Sequence, residues 1–252
     1  MPTNNNPTNT SPLSAMTRKK VLDRYDIFPH IEDRMSMTAR EWLNYHFTMQ
    51  RNFTRYLGHT VLKTPFDWIV IGDIIQDTEP EVIIEIGSGQ GGYTLWMAHL
   101  LDAMGKDTDI ISIDVKDTAS KNVQHKRVKW IVGDAVAPET IKQVERLRRE
   151  KRGMVVEDSD HKYHTTLAIL QAYEKYVALN HYFVVEDTIV EFLDLPPFPG
   201  PLRAVKEFME SHKDAFVIDR TREKYIFTHN PMGFLLRIHD PKNTAQTTSQ
   251  AR

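Results

Sequence analysis

Cysteine is absent from all 252 residues. Disulfides, thiolate zinc sites and cysteine nucleophiles are thereby excluded, so any metal must be held by oxygen or by histidine nitrogen. That donor set suits a hard divalent cation. No stretch approaches the ~20 apolar residues of a membrane-spanning helix, and the opening MPTNNNPTNTSPLSAMTRKK lacks the apolar segment of a signal peptide. We therefore expect a cytoplasmic protein that makes no membrane contact. An excess of positive charge is missing too: Lys plus Arg number 32 against 34 Asp plus Glu, a formal charge of -2. With no basic field there is no case for nucleic acid, and a small molecule is the expected partner. Internal repeats are also missing.

What is present organises into segments. Residues 1–13 and 241–252 hold Asn, Thr, Pro, Ser and Gln with almost nothing to bury, and are expected as disordered tails. Residues 38–50, TAREWLNYHFTMQ, place Trp42, Tyr45 and Phe47 among polar residues behind a capping threonine, which predicts an amphipathic helix within an N-terminal helical cap spanning 14–63. Over residues 64–240, short β-branched runs at 82–87, 109–114, 128–134, 153–158 and 182–187 alternate with helical stretches at 92–104, 138–151 and 163–179. That alternation predicts a parallel sheet with helices on both faces. The runs 216–220 and 233–238 have no long helix between them, and are expected as an antiparallel closing pair.

Ligands of such sheets bind at the carboxyl ends of the strands. The first strand runs into EIGSGQGGYTLWMA, residues 85–98, whose glycines allow a tight strand-to-helix turn beside free helix N–H groups. Gly87, Gly89 and Gly92 fit a dinucleotide fingerprint. Glu85, Gly87, Gly89 and Gly91 fit the first motif of class I S-adenosylmethionine-dependent methyltransferases, with Ser88 and Tyr93 in the same turn. Asp114, closing the second strand, offers a carboxylate to ribose in either case. Glu85, the Gly133-Asp134 pair closing the third strand, and the antiparallel last pair favour adenosylmethionine; Asp134 has an alternative reading as a helix cap.

Two later strands end in acids, VVEDSDH (155–161) and VVEDT (184–188). Asp158 and Glu186 are one strand-helix-strand unit apart, so their strand ends can be neighbours and their carboxylates can converge on Mg²⁺ or Mn²⁺. Asp158, Glu186 and Asp187 are the expected ligands, with Asp160 as substitute and Glu157 as an alternative or added ligand. A bound cation would lower the pKa of a substrate hydroxyl, and His161 would accept its proton, with His164 as the alternative base. The Pro-rich stretch 191–205 is read as a loop, neither helix nor strand, that walls the acceptor site through Phe192, Phe198 and Arg203.

The stretches 61–75, 80–98, 158–161, 184–188 and 229–238 together resemble the cephalosporin hydroxylase and rhamnosyl O-methyltransferase family, related to the macrolide-sugar O-methyltransferases of the macrocin and mycinamicin type. The resemblance covers roughly residues 53–239. It implies a Rossmann-like class I methyltransferase fold with a mostly parallel seven-stranded sheet, S-adenosyl-L-methionine in the Gly-rich turn, and Mg²⁺ on the strand-end acids. It carries metal and base onto Asp158, His161, Glu186 and Asp187, and implies a hydroxylated small-molecule acceptor and, by analogy, a homo-oligomer. Glu157 departs from the pattern, where an apolar strand residue is expected. Two rival readings are an oxidoreductase or hydroxylase, using the glycine turn for NAD or acting with a partner, and a non-catalytic adenosylmethionine-binding subunit.

Overall fold

A computed structural model describes residues 31–193 and 199–239; both expected tails and Phe198 lie outside them. The chain divides into two compact units between Trp42 and Leu43. In the first, the described residues form α1 (Ile31–Ser36) and the start of α2 (Ala39–Phe53). Thr38 and Glu41 form a capping box at the head of α2, with Thr38 donating its N–H to the Glu41 carboxylate at 2.7 Å and its hydroxyl accepting from the Glu41 N–H at 3.3 Å. The expected helical cap is not wholly helical. It includes a two-stranded ribbon, β1 (Arg55–Tyr56) and β2 (His59–Thr60), turned by Leu57 and Gly58 with φ of 47° and 89°.

The second unit carries a seven-stranded sheet. Its strands are β3 (Val82–Ile86), β4 (Asp109–Asp114), β5 (Val128–Val132), β6 (Gly153–Glu157), β7 (Tyr182–Val185), β8 (Phe216–Ile218) and β9 (Phe234–Arg237), in the spatial order β5-β4-β3-β6-β7-β9-β8. Pairings are parallel except β7 with β9 and β8 with β9, which are antiparallel, as the missing helix between the last two runs requires. The helices are α3 (Pro65–Thr78), α4 (Gly92–Ala103), α5 (Thr118–Asn122), α6 (Pro138–Arg148), α7 (Tyr163–Tyr173) and α8 (Pro201–His212). Among the described residues no helix is long and apolar enough to cross a membrane.

The central strands are buried on both sides, which is why they read as unbroken apolar runs. Ile84, Ile86, Val155, Phe183 and Val185 belong to one core layer with residues of α6, α7 and α8, while Ile83, Met154, Val156 and Val184 belong to the other with α3 and α4. Sheet order reverses between β3 and β6, so a crevice opens at their carboxyl ends. One expectation fails here. The stretch 191–205 is not all loop, because Pro201 starts α8, where its fixed φ and missing N–H suit the first helical position. The Glu191 carboxylate accepts N–H bonds from Gly200 and Arg203 at 3.0 and 2.9 Å, satisfying the free donors of that helix end.

Candidate active site

Backbone hydrogen bonds carry the sheet beyond its last paired residues: Gly87 donates to Ile113, Asp158 to Ile86 and Glu186 to Glu157, at 2.8, 2.8 and 2.9 Å. The Gly-rich turn and both acidic strand ends are thus fixed to one rim. Gly87 has φ of +95°, and a Cβ there would lie 1.9 Å from the Asp158 carbonyl oxygen, so the turn packs directly on the acidic loop. Gly89 donates its N–H to Asp114 Oδ2 at 2.9 Å, and Asp114 Oδ1 accepts from Lys116 N–H at 2.9 Å. Asp114 therefore braces the turn. Gly91 caps α4, and Gly92 begins that helix against the carbonyls of the ribbon.

The Ser88 hydroxyl and the Tyr93 phenol are buried without a hydrogen-bond partner among the described residues. Two such groups beside a glycine turn and a helix N-terminus fit a polar ligand laid across the turn. Glu85 lies beneath the turn, 1% exposed, accepting bonds from Thr94 and Ser112. Burial pushes its carboxyl up to about 7 against the pull of those hydroxyls. Gly133 donates to the Asp114 carbonyl at 2.9 Å, while Asp134 accepts Val136 N–H at 3.0 Å and forms the turn into α6 without being that helix's cap, which is Ala137.

On the other side of the crevice, carboxylate oxygens of Asp158 and Asp187 and a nitrogen of His161 lie within 4.8 Å of one another. His161 Nε2 stands 3.2 Å from Asp158 Oδ1 and 3.1 Å from Asp187 Oδ2. Burial lowers the His161 pKa, but Asp187 and Asp158 outweigh it and hold the imidazole near 9. Burial raises Asp187 in turn, and His161, His229 and Lys63 pull it below the usual carboxylate range. Glu186 is not in that group of three. Its Oε2 contacts Lys63 Nζ, which also donates to Asp158 Oδ2 at 2.6 Å, and its Oε1 is buried without a partner among the described residues. Burial pushes Glu186 well above the carboxylate range despite Lys63, with Asp158 and Asp187 adding to the rise.

The structure separates the remaining candidates from this cluster. Asp160 pairs with Lys162 at 2.8 Å on the surface, and His164 is exposed on α7. Glu157 lies on the sheet face of Val155 and Ile86, fully buried, accepting from Ser159 N–H at 3.1 Å and from the Thr166 hydroxyl of α7 at 3.3 Å. Arg203 lies 4.8 Å over the Tyr163 ring, and Phe192 is exposed.

Three neighbours escaped the sequence reading. Lys63 comes from 95 residues upstream of Asp158; the hint was a lone cation inside the apolar VLKTPF. His229 Nδ1 lies 3.4 Å from Asp187 Oδ1, and Asn230 accepts Asp187 N–H at 2.9 Å. The stretch holding them is tied to the head of α3 through Asp67, which accepts His229 N–H at 3.0 Å and the Thr228 hydroxyl. A largely buried set of oxygen donors with one imidazole, in which three carboxylates share the one ammonium of Lys63 and one carboxylate oxygen has no partner among the described residues, fits Mg²⁺ or Mn²⁺.

A family model described as rhamnosyl O-methyltransferase/CmcI matches residues 48–238. A rhamnosyl O-methyltransferase of Mycobacterium leprae is 28% identical over 214 residues, covering 81% of this chain and 91% of its own length. One from Mycobacterium tuberculosis is 25% identical over 218 residues, covering 84% and 88%. A solved structure of CmcI with Mg and SAM superposes with a TM-score of 0.61 at 20% identity, covering 91% of this chain and 90% of that one.

Proposed function

The chain belongs to the rhamnosyl O-methyltransferase/CmcI family and is an S-adenosylmethionine-dependent O-methyltransferase, and we propose that it methylates a hydroxyl of a sugar or polyhydroxylated natural product with Mg²⁺ bound at the acidic rim. The observation that carries this reading is the joining of two half-sites at the sheet's reversal point: the Gly-rich turn packs its Gly87 on the carbonyl of Asp158, beside the cluster of Asp158, His161 and Asp187. Methyl donor and activated hydroxyl must meet in line, and two half-sites in contact provide for that. The names of the relatives support a sugar acceptor, and the CmcI complex supports the pairing of Mg with SAM.

Ser88, Gly89 and Gly91, with Tyr93, Asp114 and the Gly133-Asp134 turn, hold the cofactor over Glu85. Asp158, Glu186 and Asp187 hold the cation. When bound, these groups supply an electrophilic methyl on sulfur and a Lewis acid that lowers the pKa of the acceptor hydroxyl. Transfer of that methyl to the acceptor oxygen would release the hydroxyl proton to neutral His161, the form favoured once a cation draws the charge of Asp158 and Asp187 away from the imidazole. Asp158 and Asp187, both within 3.2 Å of Nε2, stabilise the imidazolium that results. We assign residues 64–240 to the transfer domain and 14–63 to an N-terminal cap, and place the protein in the cytoplasm as a homo-oligomer.

The test is methyl transfer from isotopically labelled adenosylmethionine to rhamnosides and related glycosides, with Mg²⁺ and with chelator. Label in an acceptor ether, lost with chelator and lost in Asp187→Asn, is the expected result. Label transfer that chelator leaves unchanged would remove the cation from the mechanism.

A further inference from the structure

Lys63 has no part in the chemistry above, yet it occupies the middle of the site. It sits in the loop between β2 and α3 with a side chain 4% exposed, Nζ 2.6 Å from Asp158 Oδ2 and in contact with Glu186 Oε2, 4.5 Å from the Tyr93 ring centroid. Burying an ammonium is costly unless anions compensate it. Here burial works to lower the Lys63 pKa and loses to Asp158, Glu186 and Asp187, so the group stays charged. Its backbone is held in place, because the next residue, Thr64, caps α3 by accepting Asp67 N–H at 3.0 Å, and Pro65 follows as the first helical residue.

We propose that Lys63 is a tethered cation that competes with the divalent ion for Asp158 and Glu186, and so sets the metal affinity of the site. This rests on the metal reading given above. The ammonium takes one oxygen from each carboxylate, and a second cation arriving among the same buried oxygens meets strong like-charge repulsion. Being covalently attached, the competitor is present at a high effective concentration at any dilution of the protein. In return it lets the metal-free chain fold with three acids clustered on one rim. The acids without Lys63 would bind metal more tightly and tolerate its removal less well.

Calorimetric titration with Mn²⁺ of the wild type, Lys63→Met, Lys63→Gln and Lys63→Arg tests this. Removing one unit charge at hydrogen-bond distance should tighten Mn²⁺ binding by about tenfold or more in the Met and Gln variants, while Arg stays near the wild type. Without divalent ion the Met variant should melt below the wild type, and saturating Mn²⁺ should close the gap. Equal or weaker Mn²⁺ binding by both neutral variants overturns the proposal. Should neither fold without metal, refolding decides: recovery with Mn²⁺ alone is expected, and failure in both conditions counts against it. A wild type whose Mn²⁺ binding is absent, or unchanged in Asp158→Asn, refutes the metal reading itself, whereas wild-type binding without tightening in the Met variant refutes only the competition.

Discussion

Replacing Gly87 by alanine tests whether the glycine turn and the acidic rim are one unit. Two costs are readable from the geometry. The backbone at φ +95° disfavours any side chain by about 1–2 kcal/mol. The new Cβ would also lie 1.9 Å from the Asp158 carbonyl oxygen and 3.0 Å from Ser159 Cα, where backbone must give way. That backbone is pinned by the Asp158 N–H bond to Ile86 at 2.8 Å, so relief requires a shift of β6 relative to β3, an overpacking cost of about 1–3 kcal/mol. The total is roughly 2–5 kcal/mol, a large share of the ~5–15 kcal/mol stability of a typical domain. Gly58→Ala is the control: φ is +89° but no atom lies within 4 Å of the new Cβ, so it carries the backbone cost alone, about 1–2 kcal/mol. Urea unfolding of both variants, paired with Mn²⁺ titration, should show Gly87→Ala less stable than Gly58→Ala by about 1–3 kcal/mol, with weakened metal binding in the first only. Equal destabilisation with intact metal binding would refute the claim that the half-sites are mechanically joined.

Three further outcomes follow from the same contacts. Glu85, raised in the fold from the ordinary glutamate value of 4.5 to about 7, binds its proton more tightly folded than unfolded. Its contribution is present below pH 4.5 and lost as pH rises through about 7, so Glu85→Gln should be less pH-sensitive over that window, by up to about 3 kcal/mol in urea unfolding. Asp67→Ala strips partners from the buried Thr64, Thr228 and His229 donors; thermal unfolding should show a loss of about 2–4 kcal/mol. His161→Ala should cut kcat by about 10²–10⁴-fold in the labelled-methyl assay, with adenosylmethionine affinity unchanged by calorimetry.

The sheet was legible because each central strand is buried on both faces, so its β-branched run is bounded only where the chain leaves the core. The acids at 157–158 and 186–187 were legible as rim residues for the same reason: strands end where acids begin. Which way each acid faces was not. Glu157 turns to α7 while Asp158 joins His161, a division set by strand alternation and by Ser159 and Thr166. Lys63 showed only as a lone cation in an apolar stretch; its pairing was not legible because its partners are 95 and 123 residues away, and pairing at such separations leaves no local pattern. Proline density hid α8: the Pro-rich stretch 191–205 reads as loop, whereas Pro201 at the first helical position is a starter.

The central claim is that the glycine turn takes adenosylmethionine and the rim takes a divalent cation. The most direct measurement is calorimetric titration of the purified protein with S-adenosylmethionine and with NAD⁺, each with and without Mg²⁺, repeated for Mg²⁺ alone on Asp158→Ala and Glu186→Ala. Binding of adenosylmethionine but not NAD⁺, with Mg²⁺ binding lost in both variants, is the expected result. NAD⁺ binding with no response to adenosylmethionine would contradict it and return the glycine turn to hydride transfer.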